Sequence, residues 1–197
     1  MAELRVVSLA NLDAGVVLAP ERYDPRRQLP WPGPAVGSLA ATVTTTIRQW
    51  QGPAFVLDTS HVHEGMVRPG PLQPQPTLGS ARRQLLPGDV VISRLRPYLR
   101  QVAWVDPGLL ADHPGAALLV SPELVVFRPT NGCSLAFLVP LLLSIPVQRA
   151  LTAAQEGSHH PRVPRQFLTS IPVPAPWLAH RDRHSRAVEE AIQSARE

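Results

Sequence analysis

The sequence predicts an α+β fold, and three observations predict it. Short apolar runs rich in β-branched residues occupy the first two thirds of the chain, at 43–47, 54–57, 90–92, 102–105, 118–121 and 124–127. Each is too short for a helix and is bounded by turn residues, which is the signature of buried strands. Apolar segments of helical length come only later, after Ser134 and again from Ala179. The third observation is the 23 prolines among 197 residues, which break the elements and promise long irregular connections. Strands first and helices last is a segregated pattern, not the alternation of a doubly wound sheet.

Taken in order, residues 4–9 and 16–18 read as short strands around the turn Asp13-Ala14-Gly15. Residues 24–38 carry four prolines and two glycines and read as loop, in which Arg26 and Arg27 are either solvated or available to a phosphate. The β-branched run 43–47 and the apolar run 54–57 follow as strands. Residues 65–80, with four prolines and three glycines, make a long flexible or extended connection. Beyond 105 lies a turn-rich insertion, 106–114, before the two strands ending at 127. Asn131-Gly132 marks a turn, and Ser134 is placed to cap a helix starting at Leu135, whose start Pro140 must shift or whose axis it must kink. Pro146 suits the first turn of a second helix running to about residue 155, and Gly157 its stop. From 179 the composition turns to His, Arg, Glu and Ala, with Val188 and Ile192 on one helical stripe.

The most informative stretch is 86–105. Pro87-Gly88-Asp89 is a turn that opens the strand Val90-Val91-Ile92, and a second run returns from Val102. Between them the chain presents Arg94, Arg96, Tyr98 and Arg100, with Pro97 interrupting any ladder. Three guanidinium groups and a phenol on one loop between two apolar strands suit phosphate oxygens and base edges. The formal net charge of +4 also favours an anionic partner.

Composition removes several function classes. All 19 basic residues are arginine, so a lysine-dependent phosphate loop, a Schiff-base enzyme and a lysine-containing nuclease site are excluded. A single cysteine, Cys133, cannot form an internal disulfide, and no charged-then-apolar leader opens the sequence; a reducing cytoplasm is expected. The most apolar segment, 135–147, is broken by two prolines and is shorter than the ~20 residues of a membrane span, so it is expected in the core and no membrane partner is expected.

The order Leu-x-Pro-Gly-Asp-Val-Val-Ile-Ser-x-Leu-Arg-Pro-Tyr-Leu-Arg at 85–100, with Gly157-Ser-His-His-Pro-Arg-Val163 and Leu168-Thr-Ser-Ile-Pro-Val-Pro174 downstream, resembles the target recognition domain of type I restriction-modification specificity subunits. Tyr23-Asp24-Pro25 and the leucine-spaced entry near the start fit the same pattern. The resemblance covers roughly residues 4–178 and rests on motif order and spacing. It implies a domain, 1–178, that reads half of a bipartite DNA site for a methyltransferase and performs no chemistry. It also implies that the Gly-Ser loop approaches DNA, that "Ile-Pro-Val-Pro" is a short strand, and that 179–197 is a helical stub for dimerisation or methyltransferase docking. The chain departs from the family in lacking the Pro-Pro-x-x-Glu-Gln sequence often found at that join.

The candidate DNA-facing residues are Arg94, Arg96, Tyr98, Arg100, His159, His160, Arg162 and Arg165, with no catalytic residue, metal or cofactor. Double-stranded DNA and a methyltransferase subunit are the expected partners; a restriction subunit and a second copy of the chain are further candidates. Two other readings compete. One is a protein-interaction module using the proline-rich loops. The other is a small hydrolase or nuclease using Asp58, His61, His63 and Glu64, although His61 and His63 alone are too few for a zinc site and no nucleophile elbow, zinc helix or methyltransferase motif occurs.

Overall fold

The computed structural model describes Ser8 and residues 20–196. Apart from Ser8, the strands expected at 4–9 and 16–18 fall outside the described residues. The rest is α+β, as expected: β1 Ala41–Thr42, β2 Ala54–Leu57, β3 Val62–His63, β4 Gly65–Val67, β5 Arg83–Leu85, β6 Val90–Ser93, β7 Val102–Trp104, β8 Ala117–Val120 and β9 Leu124–Arg128, with α1 Val36–Leu39, α2 Leu138–Leu143, α3 Ile145–Ala153, α4 Arg165–Ser170, α5 Ala175–Ala179 and α6 Arg181–Ser194. A six-stranded sheet runs β1-β9-β6-β7-β4-β3, and a three-stranded sheet runs β2-β8-β5.

β6 is central, antiparallel to both β7 and β9, and all four of its residues are buried. Strand side chains alternate between faces. Here Val90, Ile92, Val102, Trp104, Val125 and Phe127 join one core with α2, α3 and α4, whereas Val91, Ala103, Leu124 and Val126 join another against Leu118, Val120 and Leu57 of the small sheet. The large sheet is therefore covered on both faces, and its strands are continuous apolar runs for that reason.

The turn before β6 is built on Asp89. Gly88 takes φ 85°, and the fully buried Asp89 carboxylate accepts from the Leu86 N–H at 2.8 Å and from Arg128 Nε and Nη2 at 2.9 and 2.8 Å. The same Arg128 donates to the Gln84 carbonyl at 3.0 Å, so one guanidinium ties β9 to β5 and thus the two sheets. The hydrogen bond to Asp89 raises the Arg128 pKa against the opposing effect of burial.

Several expectations need adjustment. Of the run 43–47, only the Val43 N–H continues the β1–β9 pairing, by donating to the Val126 carbonyl, and Ile47 bridges separately to Arg82; β-branching favours a strand only where a partner lies alongside. The connection 65–80 is not wholly loop, because β4 lies parallel to β7. Ser134 accepts from the Ala136 N–H, but α2 starts at Leu138, leaving Pro140 in the first turn where its missing N–H costs nothing. Pro146 sits in the first turn of α3 as expected. "Ile-Pro-Val-Pro" forms only the single bridge Ala35–Pro172, since Pro172 and Pro174 supply no N–H for a ladder. Beside it the chain passes so close that a Cβ on Gly33 would stand 1.8 Å from the Val173 carbonyl oxygen.

α6 lies on the domain core through buried Ser185 and Ile192 and half-buried Val188. Ser185 Oγ accepts from the Phe137 N–H, Ser134 Oγ donates to Glu189, His184 stacks on Trp177 with ring centroids 4.1 Å apart, and Arg196 pairs with Asp106. Among the described residues no helix is long and apolar enough to cross a membrane.

Candidate nucleic-acid interface

The loop leaving β6 makes a tight excursion. Arg96 and Arg100 take left-handed backbone angles, φ 46° and 53°, on either side of a single 3-10 turn, Pro97–Leu99. Such angles cost about 1 kcal/mol or more for a residue with a Cβ. Pro97 is buried and anchors the turn, which thrusts Tyr98 and Leu99 outward, 70% and 41% exposed. The exposed Arg96 guanidinium makes no hydrogen bond or ion pair among the described residues. Arg100 Nη2 donates to the Leu143 carbonyl at 2.6 Å, placing positive charge at the C-terminal end of α2.

Arg94 points the other way. Its Nε donates to the Val163 carbonyl at 2.9 Å, its side chain is only 20% exposed, and Nη1 lies 3.8 Å from Glu123. The backbone repeats these links: the Arg94 N–H donates to the Glu123 carbonyl at 3.0 Å, and the Val163 N–H to the Arg94 carbonyl at 2.9 Å.

The Gly-Ser loop is a narrow excursion pinned at its base. Glu156 and Arg162 exchange two backbone hydrogen bonds of 2.9 Å, and Gly157, at φ 96°, provides the left-handed turn. His159 and His160 sit exposed beyond that base, edge to face at 5.8 Å. Arg162 directs Nε and Nη2 to Glu123 Oε1, both at 2.9 Å. Arg165, exposed in the first turn of α4, donates to the Pro122 carbonyl at 3.2 Å.

The two loops meet, since Leu95 bridges to Arg162. Residues 94–100 and 157–165, separate in sequence, are brought side by side, and among the described residues the side chains of Arg96, Tyr98, His159 and His160 make no hydrogen bond, although the Arg96 and His160 carbonyls accept from the Leu99 N–H and from Arg162 Nη1. Beneath them lies a hub with no counterpart in the sequence reading. Glu123 takes Arg94 and Arg162, while buried Arg83 donates to the Pro122 and Leu124 carbonyls on either side of it. Burial lowers the Arg83 pKa, and Arg165 and Arg94 lower it further against the pull of Glu123; burial and then Arg165 likewise lower that of Arg94. The hydrogen bond to Glu123 raises that of Arg162. Four arginines around one carboxylate leave a surplus of positive charge at this face. In sequence, Pro122 and Glu123 are only the two residues between the strands 118–121 and 124–127.

The histidine and acid constellation has a different geometry. Asp58 pairs with Arg82 at 2.8 Å and His61 Nδ1 accepts from the Asp58 N–H at 3.0 Å, whereas His63 and Glu64 are exposed and 3.6 Å apart. Among the described residues no three His, Cys, Asp or Glu side chains are grouped to hold a metal.

No family model matches the sequence, and no curated protein does. Among solved structures, a chain from work on complex assembly and conformational transition of the type I R-M system aligns over 86% of this chain and 45% of its own length, with a TM-score of 0.59 and 24% identity. This chain shares the fold of a type I R-M system component. The HsdS subunit from Thermoanaerobacter tengcongensis aligns over 83% of this chain and 39% of its own length, with a TM-score of 0.43 and 16% identity. The chain thus spans under half the length of either neighbour. The fold match agrees with the resemblance carried by the motifs at 85–100, 157–163 and 168–174.

Proposed function

We propose that this chain is a non-catalytic, sequence-specific recognition module for double-stranded DNA, in effect half of a specificity subunit, directing the methyltransferase of a type I-like restriction-modification or methylation-based defence system. The observation that carries this reading is the Leu95–Arg162 junction, which joins two separately basic loops into one face with exposed, unengaged polar groups at its tips. Arg96, Tyr98, His159 and His160 are the side chains this reading assigns to DNA contact, and Arg165 and Arg100 add phosphate-directed charge. Arg94 and Arg162, already engaged, act mainly by holding the face together. A methyltransferase subunit, a restriction subunit and a second recognition domain, supplied by another copy or another chain, complete the assembly in this reading.

The test is duplex binding against salt. With about three phosphate contacts the logarithm of affinity should fall against the logarithm of salt with a slope of about −3. A randomised pool of duplexes passed over the protein should also be enriched for one short motif. The apolar exposure of Tyr98, Leu99 and Ile145 favours a second reading, a protein-docking module. No duplex affinity at low salt would select it over the first.

A further inference from the structure

We infer that Glu123 is a specificity-determining positioning residue: an acidic clamp that sets the spacing between the 94–100 and 157–163 loops, so that a face meant for a polyanion depends on a negative charge within it. The inference rests on the DNA-binding reading and adds a residue that reading does not contain.

An acid here would by charge alone repel phosphates, so its presence calls for a compensating role. The geometry supplies one. Glu123 Oε1 accepts from Arg162 of one loop through two nitrogens at 2.9 Å, and Oε2, buried and without a hydrogen-bond partner, lies 3.8 Å from Arg94 Nη1 of the other. The Glu123 carbonyl accepts from the Arg94 N–H, and the Arg94 carbonyl in turn accepts from the Val163 N–H, so the backbone links the same turn and loops in series. The turn carrying Glu123 is itself fixed, because Arg83, 3% exposed, donates to the carbonyls before and after it at 2.8 and 3.1 Å. A turn held by Arg83, with one carboxylate between two arginine loops, fixes their separation, and with it the distance from Arg96 and Tyr98 to His159 and His160. Readout of base edges depends on that distance; attraction to phosphate depends on it far less.

The two roles predict opposite signs. In Glu123→Gln, charge alone would tighten binding to every duplex equally. A positioning role predicts that affinity for the motif enriched by the wild-type chain falls while affinity for a scrambled duplex stays level or rises, so the ratio between them drops at least tenfold. Arg162→Gln changes the charge in the other direction yet should also collapse the ratio, and Glu123→Asp should restore part of it. Hydrogen exchange of the DNA-free protein should quicken at the amides of Arg94, Arg162 and Val163 and stay unchanged in β6, β7 and β9; it reads the clamp even in a variant of lowered stability. Uniform tightening with unchanged exchange would overturn the inference and leave the DNA reading standing. A wild-type chain that retains no duplex would end the DNA reading and this inference together.

Discussion

Replacing Asp89 by alanine should be the most damaging single polar change to the fold. Its carboxylate is wholly inaccessible to water and accepts three hydrogen bonds, two from the Arg128 guanidinium and one from the Leu86 N–H that closes the turn into β6. Hydrogen bonds to charged groups are worth ~1.5–3 kcal/mol each, and breaking a buried pair typically costs ~3–5 kcal/mol because the surviving charge is stranded. Two features reduce that cost. The Arg128 side chain is 29% exposed and can regain water, and it keeps its bond to the Gln84 carbonyl. The loss should therefore be about 3 kcal/mol, which for a domain of this size lowers the melting temperature by about 6–12 °C. Urea denaturation would show it as a lower midpoint at unchanged slope, and the double variant Asp89→Ala with Arg128→Met should lose less than the sum of the singles. A single variant within ~0.5 kcal/mol of the wild type would refute the role given to this buried pair in closing the turn into β6.

The remaining predictions separate residues that hold the face from residues that meet a ligand. Arg96→Ala and Tyr98→Ala should leave stability within ~0.5 kcal/mol while weakening DNA binding, by ~1–3 kcal/mol of discrimination for a base contact or by about one unit of salt slope for a phosphate contact. Arg94→Ala should do the reverse of a surface change and cost ~1–3 kcal/mol in a thermal or urea melt, because it strands the Val163 carbonyl. Ile192→Ala should cost ~2–4 kcal/mol, and removing 179–197 at least as much, since α6 completes the core over Phe137; a truncated chain that melts like the whole would show that the helix is only laid on the surface. With plasmid DNA, magnesium and S-adenosylmethionine, the chain alone should neither cut nor methylate; gel and methylation-sensitive digestion would detect either.

What the sequence by itself determined was local. The α+β class, the β6–β7 hairpin after Pro87-Gly88-Asp89, the first-turn place of Pro146 and the arginine-rich character of two loops all follow from period, turn chemistry and residue type acting over a few positions. Partnership was decided only by the tertiary structure. The successive runs 118–121 and 124–127 are separated by only two residues, yet β8 lies between β2 and β5 in one sheet while β9 pairs with β6 in the other. Two apolar runs joined by a turn can bury equally well against each other or against distant strands, and only the whole core chooses. The same holds for charge. In sequence Glu123 is an acid on a turn and Arg94 one of several basic residues on a loop, because nothing local reports that the Arg162–Glu123 contact spans 39 residues or that the Val163 carbonyl lies 69 positions from its donor. An arginine that will read a ligand and one that will brace a carbonyl have the same chemistry. Only the position of the neighbouring backbone, fixed by long-range packing, divides them.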